Sequence, residues 1–319
     1  MTDFLYDIPG NPEPEGGVSG FFTAHDGRKL RYAYFPATGR PLKGTVVLLS
    51  GRNECIEKYF ETIGDLAARG FGVATFDWRG QGASDRVIRN PAKGHIRNFE
   101  DHEHDLETFF SQIVLPDCRA PYYILAHSTG ALVALLAAPS LVNRVRRMVL
   151  LAPFLAPYKS PLSMNGIRRL AAACHWIGLG RLPIPGGRDT RVAEPFAQNK
   201  VTSDSRRYQR NSLIYETYPQ LATGSPTMGW VRAAGKAIAR IEDPAFMARL
   251  KIPVLLIAAG ADTVVSNHAI EAYAHRLRIG SMLTIHGARH ELLQEADLFR
   301  EQLLGAFDAF IPGSDAPEM

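Results

Sequence analysis

Cysteine is scarce. The 319 residues hold three, Cys55, Cys118 and Cys174, widely spaced and without a CxxC pair. That number and spacing exclude a disulfide framework and a cysteine-based zinc site, and they favour a reducing compartment. No uninterrupted apolar run approaches the ~18–20 residues that a membrane-spanning helix needs. The start, Met1-Thr2-Asp3-Phe4-Leu5-Tyr6-Asp7, is acidic and lacks a positive segment followed by an apolar stretch. No secretory leader is therefore expected, and a cytoplasmic location is. Internal repeats and low-complexity tracts are also missing. The excess of positive charge is small, +4, and no nucleic-acid reader motif or aromatic-basic interleaving accompanies it. A solvated basic face is expected, with no nucleic-acid partner.

What remains suits a large core. The chain is 46% hydrophobic and 21% charged, enough for one large domain with a smaller one inserted. After a Pro/Gly/Glu-rich lead-in over 1–17, residues 21–24 and 30–35 alternate as two strands around His25-Asp26-Gly27-Arg28, a hairpin signal. Continuous apolar runs over 45–50, 72–78, 122–127, 145–152, 253–258 and 282–285 predict buried strands. Helical patterns lie between them, over 56–69, 101–114 and 131–138, and a last helix is predicted from about Leu292 to Phe310. Strands alternating with helices predict an α/β fold: a mostly parallel sheet with helices on both faces.

Residues 157–250 differ in character. They carry no clear strand pattern, only short helical pieces broken at Gly178, Gly180, Pro183, Pro185 and Gly186-Gly187. Fourteen Lys/Arg face six Asp/Glu there, so this stretch is +8 and the remainder −4. A basic helical insertion between two sheet strands is expected to form a cap over a site at the strand ends, with 1–156 and 251–319 as the core domain.

Chemistry enters at Ala126-His127-Ser128-Thr129-Gly130. A serine between small residues, where an apolar strand passes straight into an apolar helix, is the nucleophile-elbow pattern. Ala126 stands where the strict form has glycine, a departure of one methyl. A serine hydroxyl needs a base, and the base an orienting carboxylate. Strand 253–258 runs into Asp262, and strand 282–285 runs into a loop holding His290. Ser128, Asp262 and His290 therefore follow one another in the order of the α/β-hydrolase arrangement, each at the end of its own strand. Asp243 precedes any clear strand and Asp297 follows the histidine inside the last helix, so both fit the acid worse. His286 lies too close to its strand to compete well as the base.

The oxyanion of an acyl-transfer transition state needs two N–H donors. Thr129, after the nucleophile, and Arg52, in the Ser50-Gly51-Arg52-Asn53-Glu54 loop, are the candidates. Asp101-His102-Glu103-His104-Asp105 invites a metal reading. Its histidines are two apart, however, and would not share a helix face; an acidic helix start explains it better. His127 is expected to pack or hydrogen-bond rather than react.

The chain resembles the monoacylglycerol lipase and bacterial lysophospholipase branch of the α/β-hydrolase superfamily, often labelled serine-aminopeptidase-like. The likeness lies in Ser50-Gly51-Arg52-Asn53-Glu54 with Lys58-Tyr59, in Asp77-Trp78-Arg79-Gly80-Gln81-Gly82-Ala83-Ser84, in Gly94-His95, in the elbow, and in the Asp262 and His290 loops. Gly51-Arg52 with Glu54 and Lys58-Tyr59 is more similar to the bacterial lysophospholipases, since the eukaryotic monoacylglycerol lipases typically read His-Gly at Ser50-Gly51. The resemblance implies a Ser128-His290-Asp262 triad, an oxyanion hole at Arg52 and Thr129, and ester hydrolysis without metal or organic cofactor. A single-chain lipid ester, most of all a lysophospholipid, is the implied substrate. A small-ester esterase or peptidase on the same triad is the alternative within enzymes. An inactive ligand-binding hydrolase fold is the alternative outside them. The basic cap also leaves room for contact with a membrane surface.

Overall fold

A computed structural model describes residues 4–160, 162–184 and 194–311. Met1–Asp3 of the acidic start, and Pro185, Gly186 and Gly187 of the insertion, lie outside the described residues. The first strands are β1 (Val18–Thr23), β2 (Lys29–Phe35), β3 (Gly44–Leu49) and β4 (Phe71–Phe76). The rest are β5 (Tyr122–His127), β6 (Val145–Leu151), β7 (Val254–Ala259) and β8 (Gly280–Ile285). They form one sheet in the order β1-β2-β4-β3-β5-β6-β7-β8. The hairpin end is antiparallel, and every pairing from β4 to β8 is parallel. β3, β5 and β7 are buried at every residue, the expected result when helices cover both faces of a parallel sheet. Edge strand β8 alternates between exposed and part-buried positions.

The helices used below are α1 (Phe60–Ala68), α2 (Glu100–Phe109), α3 (Thr129–Leu141), α4 (Met164–Trp176), α5 (Ser205–Thr217), α6 (Met228–Ile241), α7 (Asn267–Ala274) and α8 (Asp297–Phe310). Helix α3 is apolar all round and buried on nearly every side, which marks it as the central helix of the core. Gly130 lets it sit there, because a Cβ at that position would lie 2.5 Å from the Ser50 carbonyl oxygen.

Three predicted helices are subdivided. The 56–69 pattern is a 3-10 turn, Ile56–Tyr59, followed by α1. The 101–114 pattern is α2 continued by a π turn, Phe110–Val114. A π turn brings consecutive residues inward, and here Phe109 packs on Phe76 at 4.8 Å while Phe110 meets Tyr122 at 6.3 Å. The last helix begins at Asp297, not Leu292. The fully buried Glu295 carboxylate accepts from the amides of Ser203, Arg289 and Ala296, which holds the chain extended at that point.

Between β6 and β7 the described residues contain helices and 3-10 turns and no strand. Helices α4 and α6 pack together closely: a Cβ on Gly235 would lie 2.7 Å from Arg168 Cγ. Helices α4, α5 and α6 start on side-chain caps, Ser163, Asp204 and Thr227. Arg207 ties α5 to the core through Glu61 of α1 and Asp297 of α8.

A buried ion cluster sets the loops at the strand ends. Arg31 is fully buried and bonds both Glu57, at 2.6 and 2.8 Å, and Asp77, at 2.8 Å. Asp77 also accepts the amides of Ile56 and Ala83. Arg31→Met would leave two buried carboxylates without their cation and should cost about 3–5 kcal/mol. Urea unfolding midpoints of the two proteins measure this, and unchanged midpoints would contradict the role.

Candidate active site

Ser128 sits between β5 and α3 at φ +51° and ψ −112°. This conformation is strained for a residue with a side chain, and it is the sharp reversal an elbow requires. Ala126 fits with no exposure, in register with Leu49 on one side and Leu150 on the other. The Asp262 loop leaves the end of β7 and the His290 loop leaves the end of β8, so all three residues meet at the carboxyl edge of the sheet. His290 Nε2 lies 3.1 Å from Ser128 Oγ, and His290 Nδ1 lies 2.7 Å from Asp262 Oδ2. All three are buried. Asp262 Oδ1 accepts the amides of Val264 and Val265 at 2.6 and 3.0 Å. Burial pushes the Asp262 carboxyl pKa up. His290 and those two amides outweigh burial and hold it below the usual carboxylate value.

The competing residues lie elsewhere. Asp243 caps a short helix through the Phe246 amide, and Asp297 is exposed beside Arg207. His286 is exposed. His102 is buried against Trp78, burial pushing its pKa down to about 3, whereas His104 is exposed; the two do not share a face.

Arg52 and Thr129 line the same cavity as Ser128 and His290. The loop carrying Arg52 is braced from beneath by the 77–84 segment. Trp78 Nε1 donates to the Ser50 carbonyl at 2.8 Å, and the Gln81 side chain accepts from the Asn53 amide. Gly82 permits this, because a Cβ there would lie 2.0 Å from the Asp77 carboxylate. The Arg52 side chain reaches the insertion, bonding the Gly224 carbonyl at 3.2 Å and leaning on the Trp230 ring.

Ser128, Asp262 and His290, singled out in the sequence, are brought together by the structure, but the network behind them had no role assigned from the sequence. Glu54 is buried, and its carboxylate accepts from the Gly51 amide, from Lys58 Nζ at 2.8 Å and from Tyr59 Oη at 2.5 Å. His127 Nδ1 stands 3.3 Å from the same carboxylate, and His127 Nε2 stands 3.1 Å from the backbone oxygen of His290. Lys58 also pairs with Glu291 at 2.9 Å. Burial disfavours both charged forms. The cations Lys58 and His127 nevertheless hold Glu54 well below its ordinary value, and Glu54 raises His127. With both ring nitrogens donating, an imidazolium at 127 fixes the loop that presents His290. The four-residue spacing of Glu54 and Lys58 and the adjacency of Glu291 to His290 are the sequence signals of this network.

The cavity over these residues measures about 960 Å³. Ile167 of α4 and Ala234 and Ile238 of α6 line it with apolar side chains, and α5 lines it with Tyr208, Asn211, Tyr215 and the carboxylate of Glu216.

Sheet order, elbow and hydrogen-bonded series together define the α/β-hydrolase class. Residues 40–297 match the Hydrolase_4 family, described as serine aminopeptidase, S33, and the chain belongs to that family. It is a carboxylic ester hydrolase by class. It is 33% identical over 308 residues to lysophospholipase L2 of Escherichia coli (strain K12), covering 93% of this chain and 88% of that one. It is 24% identical over 239 residues to monoglyceride lipase of Rattus norvegicus, covering 74% and 71%. In fold it is similar to a soluble variant of Saccharomyces cerevisiae monoglyceride lipase solved with a substrate analogue. That structure has a TM-score of 0.74 and 18% identity, with 99% and 100% of the two chains covered.

The His127–Glu54 pair gives a pH dependence with a fixed sign. His127 is raised above 6.5, so its contribution to stability is complete below pH 6.5 and is lost as pH rises through its folded value. Glu54 is depressed below 4.5, so its contribution is present above pH 4.5 and is lost as pH falls through its folded value. Between pH 6.5 and 9, wild-type stability should fall relative to His127→Asn. Urea midpoints across that range measure the difference, and parallel curves would contradict an imidazolium at 127.

Proposed function

We propose that the chain is a lysophospholipase acting through Ser128, His290 and Asp262. The observation that carries this reading is the unbroken hydrogen-bonded series from Ser128 Oγ to Asp262, with Ser128 and His290 lining a cavity of apolar and polar side chains. Ser128 Oγ attacks the acyl carbonyl while His290 Nε2 takes its proton, and Asp262 holds Nδ1–H and stabilises the imidazolium. The tetrahedral oxyanion accepts from the Arg52 and Thr129 amides. Collapse expels the glycerophospho-alcohol, protonated by His290, and leaves an acyl ester on Ser128. Water, deprotonated by His290, then releases the fatty acid and restores the serine.

Residues 157–250 act as a cap on the core of 1–156 and 251–319. Helices α4 and α6 supply the apolar wall for one acyl chain. Arg52 and Lys200, which line the cavity together with the carboxylates of Glu194 and Glu216, supply the cations for a phosphate-bearing head group. The 33% identity to a lysophospholipase over most of both chains supports the same substrate class.

Fatty-acid release from lysophosphatidylcholine and from monoacylglycerol tests the reading. The lysophospholipid should turn over faster, Ser128→Ala should abolish release, and Asp262→Asn should lower kcat by about 10⁴-fold. Faster release from monoacylglycerol would favour a lipase, and release from neither would sink the lipid reading.

A further inference from the structure

Gly94 and His95 do not line the catalytic cavity. His95 lines instead a second cavity, of about 670 Å³, to which none of Ser128, Asp262 and His290 contributes. Basic side chains reach it from three parts of the chain. His95 and Arg97 come from the loop before α2, His175 and Arg181 from the end of α4 and the turn beyond, and Arg232 from α6. Among the described residues no carboxylate lines it, and Arg97, Arg181 and Arg232 make no ion pair. Burial lowers the His95 pKa, and Arg181, Arg97 and His175 lower it further, so these four groups stand close enough to repel one another. Gly229, the second residue of α6, also lines the cavity and brings to it the positive end of that helix. The fit there is close: a Cβ on Gly229 would lie 2.7 Å from His95 Cε1 and 2.8 Å from the Gly180 carbonyl oxygen.

Guanidinium groups match the oxygens of a phosphate two at a time. Three of them with two imidazoles bring more positive charge than one phosphate neutralises, and a cavity of this size takes a small molecule rather than a single ion. Two phosphoryl groups on one molecule fit both the charge and the space.

The helices that end at this cavity also line the catalytic one, through Ile167 and Leu170 of α4 and Trp230 and Ala234 of α6. His95 is tied to α6 directly. Its Nδ1 lies 2.8 Å from Thr227 Oγ1, which accepts from the Trp230 amide at 3.2 Å and so caps the helix. The Trp230 ring in turn carries the Arg52 guanidinium at 5.8 Å.

We propose that this second cavity binds a soluble diphosphate, two phosphoryl groups on one small molecule, whose charge draws the ends of α4 and α6 onto the 95–98 loop and so holds the helices that line the catalytic cavity. The inference goes beyond the proposed function, and its test is read without turnover, so either can fail alone.

The full chain is titrated calorimetrically with inorganic pyrophosphate, in metal-free buffer at physiological salt and without lipid. One saturable, submillimolar site is expected, with inorganic phosphate binding at least tenfold more weakly. The Arg97→Gln, Arg181→Gln, Arg232→Gln triple variant should weaken pyrophosphate at least tenfold, its circular dichroism and urea midpoint establishing that it is folded. Should the triple unfold, Arg97→Gln alone, on an exposed loop residue, should weaken binding at least threefold. A control triple at the opposite end of the sheet, Arg146→Gln, Lys251→Gln, Arg278→Gln, should bind as wild type does. Saturating pyrophosphate should slow amide hydrogen exchange in peptides covering 95–99, 175–182 and 227–232. Four outcomes would overturn the proposal: no saturable binding by wild type, equal affinity for inorganic phosphate, undiminished binding by the folded pocket variants, or unchanged exchange at saturation.

Discussion

A buried carboxylate must be matched by donors, and Glu54 is the carboxylate around which this site is assembled. In a low-dielectric interior an unmatched charge would not stay ionised. Glu54 therefore gathers a backbone amide from the loop of Arg52, an ammonium from Lys58, a phenol from Tyr59 and the ring of His127. Two of those partners lead on to the next loop, Lys58 through Glu291 and His127 through the His290 carbonyl. The loop of Arg52 and the loop of His290 are thereby fixed relative to each other by one buried charge. The elbow between them is held separately, by the close seat of Gly130 under β3.

The insertion between β6 and β7 divides its labour by helix. α4 and α6 line the cavity with apolar side chains, while α5 lines it with hydroxyls, an amide and the Glu216 carboxylate. Arg207 and its carboxylate partners secure α5 to the core. The cavity beside Ser128 is thus lined by both apolar and polar side chains.

Much of this was legible in the chain itself. Strands β3, β5 and β7 are continuous apolar runs because both of their faces are buried, so pattern alone located them. Ser128, Asp262 and His290 could be found because topology carries each to the same sheet edge in a fixed order. Other features depend on long-range contacts that periodicity does not encode. The last helix starts late because Glu295 is bonded by amides from three separate places. The helix after Phe99 takes a π turn because Phe109 and Phe110 must both face inward. His127 reads as a sheet residue, and only the approach of β8's loop gives its second nitrogen a partner. The basic residues of 157–250 were countable, but the convergence of Arg97, Arg181 and Arg232 on one pocket required three elements to meet.

The central claim is that Ser128 is the nucleophile of a working covalent site. Labelling with a fluorophosphonate, followed by peptide mass spectrometry, tests it directly. The account predicts one phosphonylated residue, Ser128, with labelling lost in Ser128→Ala and strongly slowed in Asp262→Asn. No labelling of the folded wild-type chain, or labelling that persists in Ser128→Ala, would contradict it.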